Sequence, residues 1–473
     1  MASLFLPTTP CRSPFAAVVA AFLTQPGLPF ASVLSAERLE RIFARHGNLF
    51  GLHTIYSTAV TLWAFLGQIL RDGTAASCRA AVANIIVHRQ LAGLSVPTAD
   101  TGDYCRARAK LALPALRDVA VEVAAEVEEQ APAAWLWKGY HAQLIDGFTV
   151  TMPDTATNQA AFPQLTSQAP GVGFPIARVT TIVSLATACV TDLAVGRYQG
   201  KTTGETALLR QLLGSFHTGD VAVLDRYYGS FLMIALLLQR GVSVCTRLHQ
   251  RRRADFRRGR RLGPGDRLVV WTRPSRPDWL DEATYEQVPE QLTLRLLRYQ
   301  VVEPGRRTEE MLIVTTLTDA EQYPKADIAE LYGFRWQVEL DIRSIKQSLS
   351  LEHVRCQTPV MVQRELWLTI LGYNLIRTTA AAAAALHGRR PRQLSFTSTC
   401  QYVLAAWPIL TAGVLAAESL TDMLRTVLHR IASCVVGDRP GRIEPRVIKR
   451  RRHRYPLMQQ PRAVLRAQLQ GQP

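Results

Sequence analysis

The stretch of residues 332–346 constrains this chain more than any other part of it. Tyr332, Arg335, Glu339 and Lys346 follow one another at intervals of three, four and seven residues. On a helix with about 100° per residue, these four side chains fall within roughly 60° of one another. One carboxylate is thereby flanked by two cations and a phenol, a combination suited to holding a metal ion and a phosphate together.

The same stretch carries an apolar stripe beside the polar one. Its members are Leu331, Val338, Ile342, Ile345 and Leu349, at the spacing of a buried helix face. The centre of the apolar stripe lies about 80° from the polar stripe, which places the polar residues at the edge of a core. Taken alone, the helix fits equally well an exposed Arg335–Glu339 pair worth only about 0.3–0.5 kcal/mol.

The chain is strongly basic, and this charge points to a partner. Its 473 residues carry a formal net charge of +17, with clusters of arginine and lysine at 251–261 and 449–454. Neutralisation of phosphates drives binding to nucleic acid, so a polyanion is the expected partner. Charge alone also leaves open a basic protein that has no polyanionic ligand.

Cysteine spacing and apolar segments argue against several other classes of protein. The eight cysteines form no CxxC pair and no zinc-finger spacing, so we expect free thiols in a reducing cytoplasm. No HExxH motif is present. The apolar segment 15–23 is too short and too weakly charged to predict a signal peptide, and the alanine-rich run 378–386 is too short to span a bilayer.

The pattern of the chain changes near residue 140. Residues 1–135 are typical of helices, whereas the following region alternates strands with helices. The predicted strands are 144–152, 178–188, 191–198, 221–225 and 242–246, and the predicted helices are 203–213, capped by Thr202 or Thr203, and 231–240. Such alternation predicts an α/β fold with a mixed sheet and helices on both faces.

Four regions follow from this pattern. We expect a helical, DNA-binding region at 1–135, a catalytic core formed by 136–248 and 326–388, and a helical region with a basic tail at 389–473. Between the two parts of the core, 249–325 is predicted to be a β-rich insertion with its own small sheet, built from strands 267–273, 292–303 and 307–317. One helix is predicted over 327–350 and one long helix over 359–386.

Three carboxylates stand where a metal site could form. Asp146 and Asp225 lie at the ends of predicted strands, where open sheets bind ligands, and Glu339 lies on the polar helix stripe. Hard cations prefer a few carboxylate oxygens, and two such ions about 3.5–4 Å apart can carry out phosphodiester chemistry. A single Asp at a strand end is more often a turn cap. Three such residues in a chain of charge +17 favour the metal site.

At these residues the chain resembles a known family, the DDE transposases of the bacterial insertion-sequence-four type. The family signature Tyr-(2)-Arg-(3)-Glu-(6)-Lys is met by Tyr332, Arg335, Glu339 and Lys346. The two acidic motifs are matched by Asp-Gly-Phe-Thr-Val-Thr-Met-Pro-Asp-Thr from position 146 and by Val-Leu-Asp-Arg-Tyr-Tyr from position 223. The resemblance covers about residues 100–380 and implies a ribonuclease-H-like core.

The resemblance also implies a reaction. Asp146, Asp225 and Glu339 would bind two Mg²⁺ or Mn²⁺ ions. Water would cut each end of a mobile element, and the freed 3′-hydroxyl would form a hairpin that is reopened and joined to target DNA. The expected partners are terminal inverted repeats, target DNA and a second copy of the chain on paired ends. The expected location is the cytoplasm of a bacterium, at the nucleoid.

Further residues would contact the DNA. The resemblance implies that Tyr332, Arg335 and Lys346 grip phosphates near the cut, and Arg226 joins them beside the second acid. A flipped base would stack on a tryptophan of the insertion, and Trp271 is the candidate, with Trp279 as second choice. A core position in the small sheet is the alternative for Trp271.

Other motifs carry no predicted function. The glycines at 196 and 200 are one residue too close for a phosphate-binding loop, so Lys201–Thr203 is interpreted as a helix entry. Asp341 is predicted to face solvent because it points about 200° away from Glu339. Asp154 is predicted to fix a turn. Two other functions stay open: a DNA-binding protein without catalysis and a metal-dependent nuclease that does not join strands.

Overall fold

A computed structural model describes most of the chain. The described residues are 34, 36–51, 54–91, 93–200, 203–301, 309–352, 354–412, 416–437 and 458–471. The basic run 449–454 and the apolar segment 15–23 lie outside the described residues, so the predictions made for them are not addressed by the structure.

The N-terminal region is helical, as the sequence pattern predicts. Its helices are α1 (Ala36–Arg45), α2 (Thr58–Ile69), α3 (Cys78–Leu91), α4 (Gly102–Lys110) and α5 (Leu113–Glu129). The break between α4 and α5 is explained by Pro114 in the first turn of α5, where a missing N–H costs nothing. Helix α5 buries Leu116, Val119 and Val123, one face at helical spacing.

The centre of the molecule is one mixed sheet, with nine strands counted over the described residues. The strands are β1 (Ala142–Thr151), β2 (Ile176–Ser184), β3 (Val190–Arg197), β4 (Val221–Leu224), β5 (Ser243–Arg247), β6 (Arg260–Gly263), β7 (Asp266–Thr272), β8 (Gln291–Val301) and β9 (Glu309–Thr315). Their spatial order is β3-β2-β1-β4-β5-β9-β8-β7-β6. Strands β1, β4 and β5 run parallel, and β2 is antiparallel to β1.

Helices cover both faces of this sheet, which confirms the predicted architecture. Along β1, Leu144 packs into one hydrophobic core and Ile145 into the other, because successive side chains of a strand point to opposite faces. Two helices of the second core lie between strands of the sheet in sequence, α7 (Glu205–Gln211) and α8 (Phe231–Leu238). Two short helices complete this region, α6 (Ala156–Ala161) and α9 (Glu282–Gln287).

The prediction of a separate small sheet in 249–325 is wrong. Strand β9 pairs antiparallel with β5, with Cys245 opposite Thr315, and strands β8, β7 and β6 follow in order. The insertion therefore extends the central sheet. The physical reason is that β5 would otherwise be an edge strand with unpaired backbone groups, which β9 satisfies.

The C-terminal half is helical. It contains α10 (Lys325–Gly333), α11 (Trp336–Ser348), α12 (Pro359–Leu386), α13 (Phe396–Ala412), α14 (Ala417–Ser433) and α15 (Arg462–Leu469). The long helix α12 matches its predicted bounds. The helix predicted over 327–350 is divided into α10 and α11 at Phe334 and Arg335, although both residues keep helical backbone angles.

Two expectations about thiols and membranes can be compared with the described residues. The described cysteines are all free, in agreement with the predicted free thiols. Within the described part of the chain, no helix combines the length and apolar character that crossing a membrane requires.

Candidate active site where β4 ends

Asp146 and Asp225 are placed side by side by the register of two parallel strands. Ile145 pairs with Leu224 in the last rung of the β1–β4 ladder, and the two acids occupy the next positions. Strand β1 continues beyond this point with β2, so Asp146 lies inside a strand and not at its end as predicted. Ile145 and Leu224, which directly precede the two acids, belong to the second core. Because successive side chains of a strand point to opposite faces, both acids face the side of the sheet that carries Leu144.

Helix α11 brings the third acid, Glu339, to the same region of the sheet. The predicted apolar stripe is buried in full: Leu331, Val338, Ile342, Ile345 and Leu349 all belong to the core that contains Leu144. This burial holds the polar stripe against β1. The Arg335 guanidinium lies 3.5 Å from Asp146 Oδ2 through Nη1, and its Nη2 donates a 2.7 Å hydrogen bond to Glu339 Oε1. Arg335 thus joins two of the three acids.

The carboxyl of Asp146 responds to the charges of both other acids. Burial raises the pKa of the Asp146 carboxyl to about 6; the Gly147 N–H and Arg335 oppose this shift, and the charges of Glu339 and Asp225 add to it. Like charges raise a carboxyl pKa only when they lie close, so the site concentrates negative charge.

Asp225 is held through its backbone. Its carbonyl oxygen accepts hydrogen bonds from the Thr246 hydroxyl at 3.2 Å and from the Tyr228 N–H at 3.0 Å. Among the described residues, the Asp225 carboxylate makes no ion pair. Arg226, the next residue, is exposed. Within the described part of the chain, the turn after β4 therefore presents an acid that has no ion-pair partner beside a solvent-facing cation.

Tyr332 and Lys346 differ in how much surface they offer. The Tyr332 side chain is only 4% exposed, and burial raises its pKa, with Arg335 lowering it and Asp225 raising it further. Tyr332 therefore has little exposed surface with which to contact DNA. Lys346 reaches the surface and places Nζ 3.8 Å from Glu352 Oε1.

Both candidate tryptophans have an arginine on one ring face. Trp271 lies on β7, half-buried against the second core, and the Arg252 guanidinium lies 3.8 Å from its ring centroid. Trp279 is 41% exposed, and the Arg210 guanidinium lies 3.9 Å from its ring centroid. The half-buried position of Trp271 agrees in part with the alternative that it belongs to the core.

The prediction that Asp341 faces solvent is wrong. Asp341 is 1% exposed and accepts hydrogen bonds from Arg377 Nη2 at 2.9 Å, Arg392 Nη1 at 2.7 Å and the Tyr373 hydroxyl at 3.1 Å. The prediction used only the angle between Asp341 and Glu339 around α11, and that angle gives the geometry of α11 alone. It does not describe α12 and the segment after it, which cover this face and supply the two arginines.

Other motifs behave as structural elements. Gln159 Nε2 donates a 2.8 Å hydrogen bond to Asp154 Oδ1, which fixes the loop before α6. Helix α7 begins after Gly204, so the predicted cap is displaced from Thr203 to that glycine. Thr203 instead donates its hydroxyl to the Gly200 carbonyl at 3.2 Å.

The sequence patterns did not reveal Glu205 as a neighbour of the site. A methyl group at Gly147 would lie 2.6 Å from Glu205 Cδ, so only glycine leaves this carboxylate its place. The Tyr228 hydroxyl donates a 3.4 Å hydrogen bond to Glu205 Oε2. The glycine directly after Asp146 was the available signal, since glycine in a strand interior often marks a close approach.

The donor set suits a hard divalent cation. Asp146, Asp225 and Glu339 supply only carboxylate oxygens, the ligands that Mg²⁺ and Mn²⁺ prefer. Among the described residues, no three potential ligands are arranged to hold a metal ion as they stand. The positive charge now closest to Asp146 and Glu339 is that of Arg335.

Comparison with known proteins identifies the family of this chain. The family model described as "Transposase DDE domain" matches residues 137–375, which include all three acids. The chain is 28% identical over 356 residues to "Transposase InsG for insertion sequence element IS4" of Escherichia coli (strain K12), covering 74% of this chain and 77% of that protein. A solved structure of the piggyBac transposase synaptic complex with hairpin DNA is 12% identical, with a TM-score of 0.41, covering 91% of this chain and 87% of that one. The match to the family model and the similarity to InsG show that this chain belongs to the DDE transposases of the IS4 type.

Proposed function

We propose that this protein cuts DNA at the ends of its own mobile element and joins those ends to target DNA in a metal-dependent reaction. The observation that carries the proposal is that Asp225 follows β4 beside Asp146 of β1, while Arg335 links Asp146 to Glu339. Two of these acids come from adjacent parallel strands, and the third is brought to them by a helix whose apolar stripe is buried.

The proposal includes a ribonuclease-H-like core. It is supported by the strand order β3-β2-β1-β4-β5, with β2 antiparallel to β1 and both β4 and β5 parallel to it. The core would comprise residues 136–248 and 326–388, with 249–325 as an insertion that lengthens the sheet. The helical region 1–135 would bind DNA, and 389–473 would form the C-terminal region.

Asp146, Asp225 and Glu339 would hold two Mg²⁺ or Mn²⁺ ions. When bound, such ions activate the attacking oxygen and stabilise the leaving oxygen of the phosphodiester. The protein's own part is to present ionised carboxylates. With a pKa of about 6, Asp146 is mostly ionised at neutral pH. The hydrogen bonds to the Asp225 carbonyl keep the second acid in place.

The reaction would proceed by successive exchanges at phosphorus. Hydrolysis at each element end breaks one phosphodiester and frees a 3′-hydroxyl. Attack of that hydroxyl on the opposite strand forms a hairpin and releases the flanking DNA. A second hydrolysis reopens the hairpin, and the 3′-hydroxyl then replaces a 3′ oxygen in the target. The hairpin step would use Trp271 or the more exposed Trp279 to stack a flipped base.

DNA would lie along the cationic edge of the site. Arg226, next to Asp225, is exposed, and Lys346, on the same helix as Glu339, is partly exposed; the net charge of +17 favours binding to phosphate. Arg335 would grip a phosphate once DNA is bound, and Tyr332 could contribute only the small exposed part of its side chain. Two copies on paired ends, acting at the bacterial nucleoid, complete the proposal.

The proposal is tested with linear DNA that carries the sequences flanking the gene. Glu339→Gln should reduce Mg²⁺-dependent cleavage by more than about 100-fold, beyond the loss usual for residues outside the metal ligands. Glu352→Gln is the matched control, since it removes a more exposed acid that pairs with Lys346. Full activity of Glu339→Gln would refute the proposal.

The same assay separates two other functions. A DNA-binding protein without catalysis would retain the DNA and give no metal-dependent products. A nuclease would cut without forming joined products in a plasmid target. Recovery of strand-transfer products from the wild-type protein, bracketed by a duplicated target sequence, would support the transposase over both.

A further inference from the structure

The guanidinium of Arg335 occupies the position between two of the three acids. Nη1 lies 3.5 Å from Asp146 Oδ2, and Nη2 donates to Glu339 Oε1 at 2.7 Å. The Arg335 side chain is 18% exposed, so the contacts are made largely out of water. The contact with Glu339 is a charge-assisted hydrogen bond, which is among the stronger polar contacts in proteins, and the longer contact with Asp146 is an ion pair.

These contacts use the oxygens that a divalent cation would need. A metal ion binds carboxylates through the same lone pairs that accept from a guanidinium, and a second positive charge at contact distance repels it. Asp225 is different, because its carboxylate makes no ion pair within the described residues. Arg335 therefore occupies Asp146 and Glu339, whereas the carboxylate of Asp225 is left for a metal ion.

A phosphate can draw the guanidinium away. Arginine binds phosphate with two parallel N–H donors, a geometry that matches its planar fork. Arg335 also lies at the joint between α10 and α11. Its N–H donates to the Tyr332 carbonyl at 3.0 Å, and its carbonyl accepts from the Val338 N–H at 3.3 Å. Both hydrogen bonds span three residues, a tighter pattern than that of a regular α-helix. Arg335 is not a member of the apolar stripe of α11, so movement of its side chain does not require the stripe to move.

We propose that Arg335 is an internal counter-ion that holds Asp146 and Glu339 until a DNA phosphate takes its guanidinium, so that divalent metal and DNA bind this protein cooperatively. The inference rests on the proposed function of the three acids and adds a coupling between the two ligands. Such coupling is reciprocal: DNA raises the affinity for metal, and metal raises the affinity for DNA by the same factor. In the absence of DNA the protein keeps its metal affinity low.

The test measures binding of Mn²⁺ alone to the full chain by the loss of the electron paramagnetic resonance signal of free Mn²⁺. Without DNA, Arg335→Gln should bind Mn²⁺ more tightly than wild type by about 5–150-fold, the usual range of coupling between two ligands. Lys346→Gln is the matched control, because it removes one positive charge from the same helix but not from between the two acids. The control should change the affinity by much less.

A second arm adds duplex DNA, with the Mn²⁺ bound by DNA alone subtracted. DNA should raise the Mn²⁺ affinity of the wild type and leave that of Arg335→Gln nearly unchanged. Arg335→Lys, which keeps the charge but has one nitrogen to share, should fall between them. The inference would be overturned if wild type and Arg335→Gln bound Mn²⁺ equally tightly without DNA. It would also be overturned if Lys346→Gln raised the Mn²⁺ affinity without DNA as much as Arg335→Gln does.

Asp225→Asn separates this inference from the proposed function. Asp225 does not contact Arg335 within the described residues, so its substitution tests the metal site without touching the ion pair. If Asp225→Asn leaves Mn²⁺ binding unchanged, the proposed function fails. If it weakens binding while Arg335→Gln has no effect, only the counter-ion role fails. Urea midpoints of all variants confirm that each one is folded.

Discussion

Asp341→Asn should destabilise this protein more than any exposed substitution, because it leaves the buried Arg377 and the partly buried Arg392 without their acid. Asp341 is 1% exposed and accepts from Arg377, Arg392 and Tyr373 at 2.7–3.1 Å. Removing one partner of a buried ion pair costs about 3–5 kcal/mol, since the remaining charge stays out of water. We expect the free energy of unfolding to fall by that amount.

The assay is urea unfolding followed by circular dichroism, with Asp422→Asn as the control. Asp422 pairs with Arg425 at 3.7 Å on the surface, with 78% of its side chain exposed, so its loss should cost less than about 0.5 kcal/mol. A loss below about 1 kcal/mol for Asp341→Asn would contradict the reasoning. It would mean that water reaches Arg377 and Arg392 or that other groups replace the acid.

Two further predictions concern pH and salt. In the metal-free protein, the Asp146 carboxyl has a folded pKa of about 6, above its ordinary value of 3.8. Its contribution to the free energy of unfolding is therefore fully present below the ordinary pKa and is lost as the pH rises through about 6. Urea unfolding should show that the wild type is less stable at pH 7 than at pH 5 through this carboxyl. If Asp146→Asn shows the same difference between the two pH values, the prediction is contradicted. Arg226→Ala should weaken binding to all DNA sequences alike and reduce the slope of log affinity against log salt by about 1, measured by fluorescence anisotropy; a loss confined to one sequence would argue for base contact instead.

Much of the local structure could be predicted from the sequence. The long helix α12 has its predicted bounds, β2 and β3 correspond to the predicted strands 178–188 and 191–198, and the apolar stripe of the signature stretch is buried. Each of these depends on residues near one another in the chain, whose periodicity reports the face that is buried. The order of the acids along the chain and the spacing of the signature can likewise be read directly from the sequence.

Contacts between distant segments could not be predicted in this way. Asp341 looked solvent-facing from its angle on α11, but α12 and the segment after it bring two arginines to that face. The insertion looked independent because its strands are consecutive, but β9 pairs with the open edge of β5. Both outcomes depend on which surfaces meet, and spacing along the chain does not encode that directly.

The sequence by itself identified the candidate residues of the site, because spacing along a helix and position at the ends of predicted strands indicate which side chains can meet. Asp146, Asp225, Arg335 and Glu339 could all be named in that way. Only the tertiary structure decided how they meet. The parallel register of β1 and β4 sets two acids side by side, and the buried stripe of α11 presses Arg335 between Asp146 and Glu339. The Arg335–Glu339 pair follows from helix spacing, but the contact of Arg335 with Asp146 joins residues far apart along the chain, and only packing brings them together.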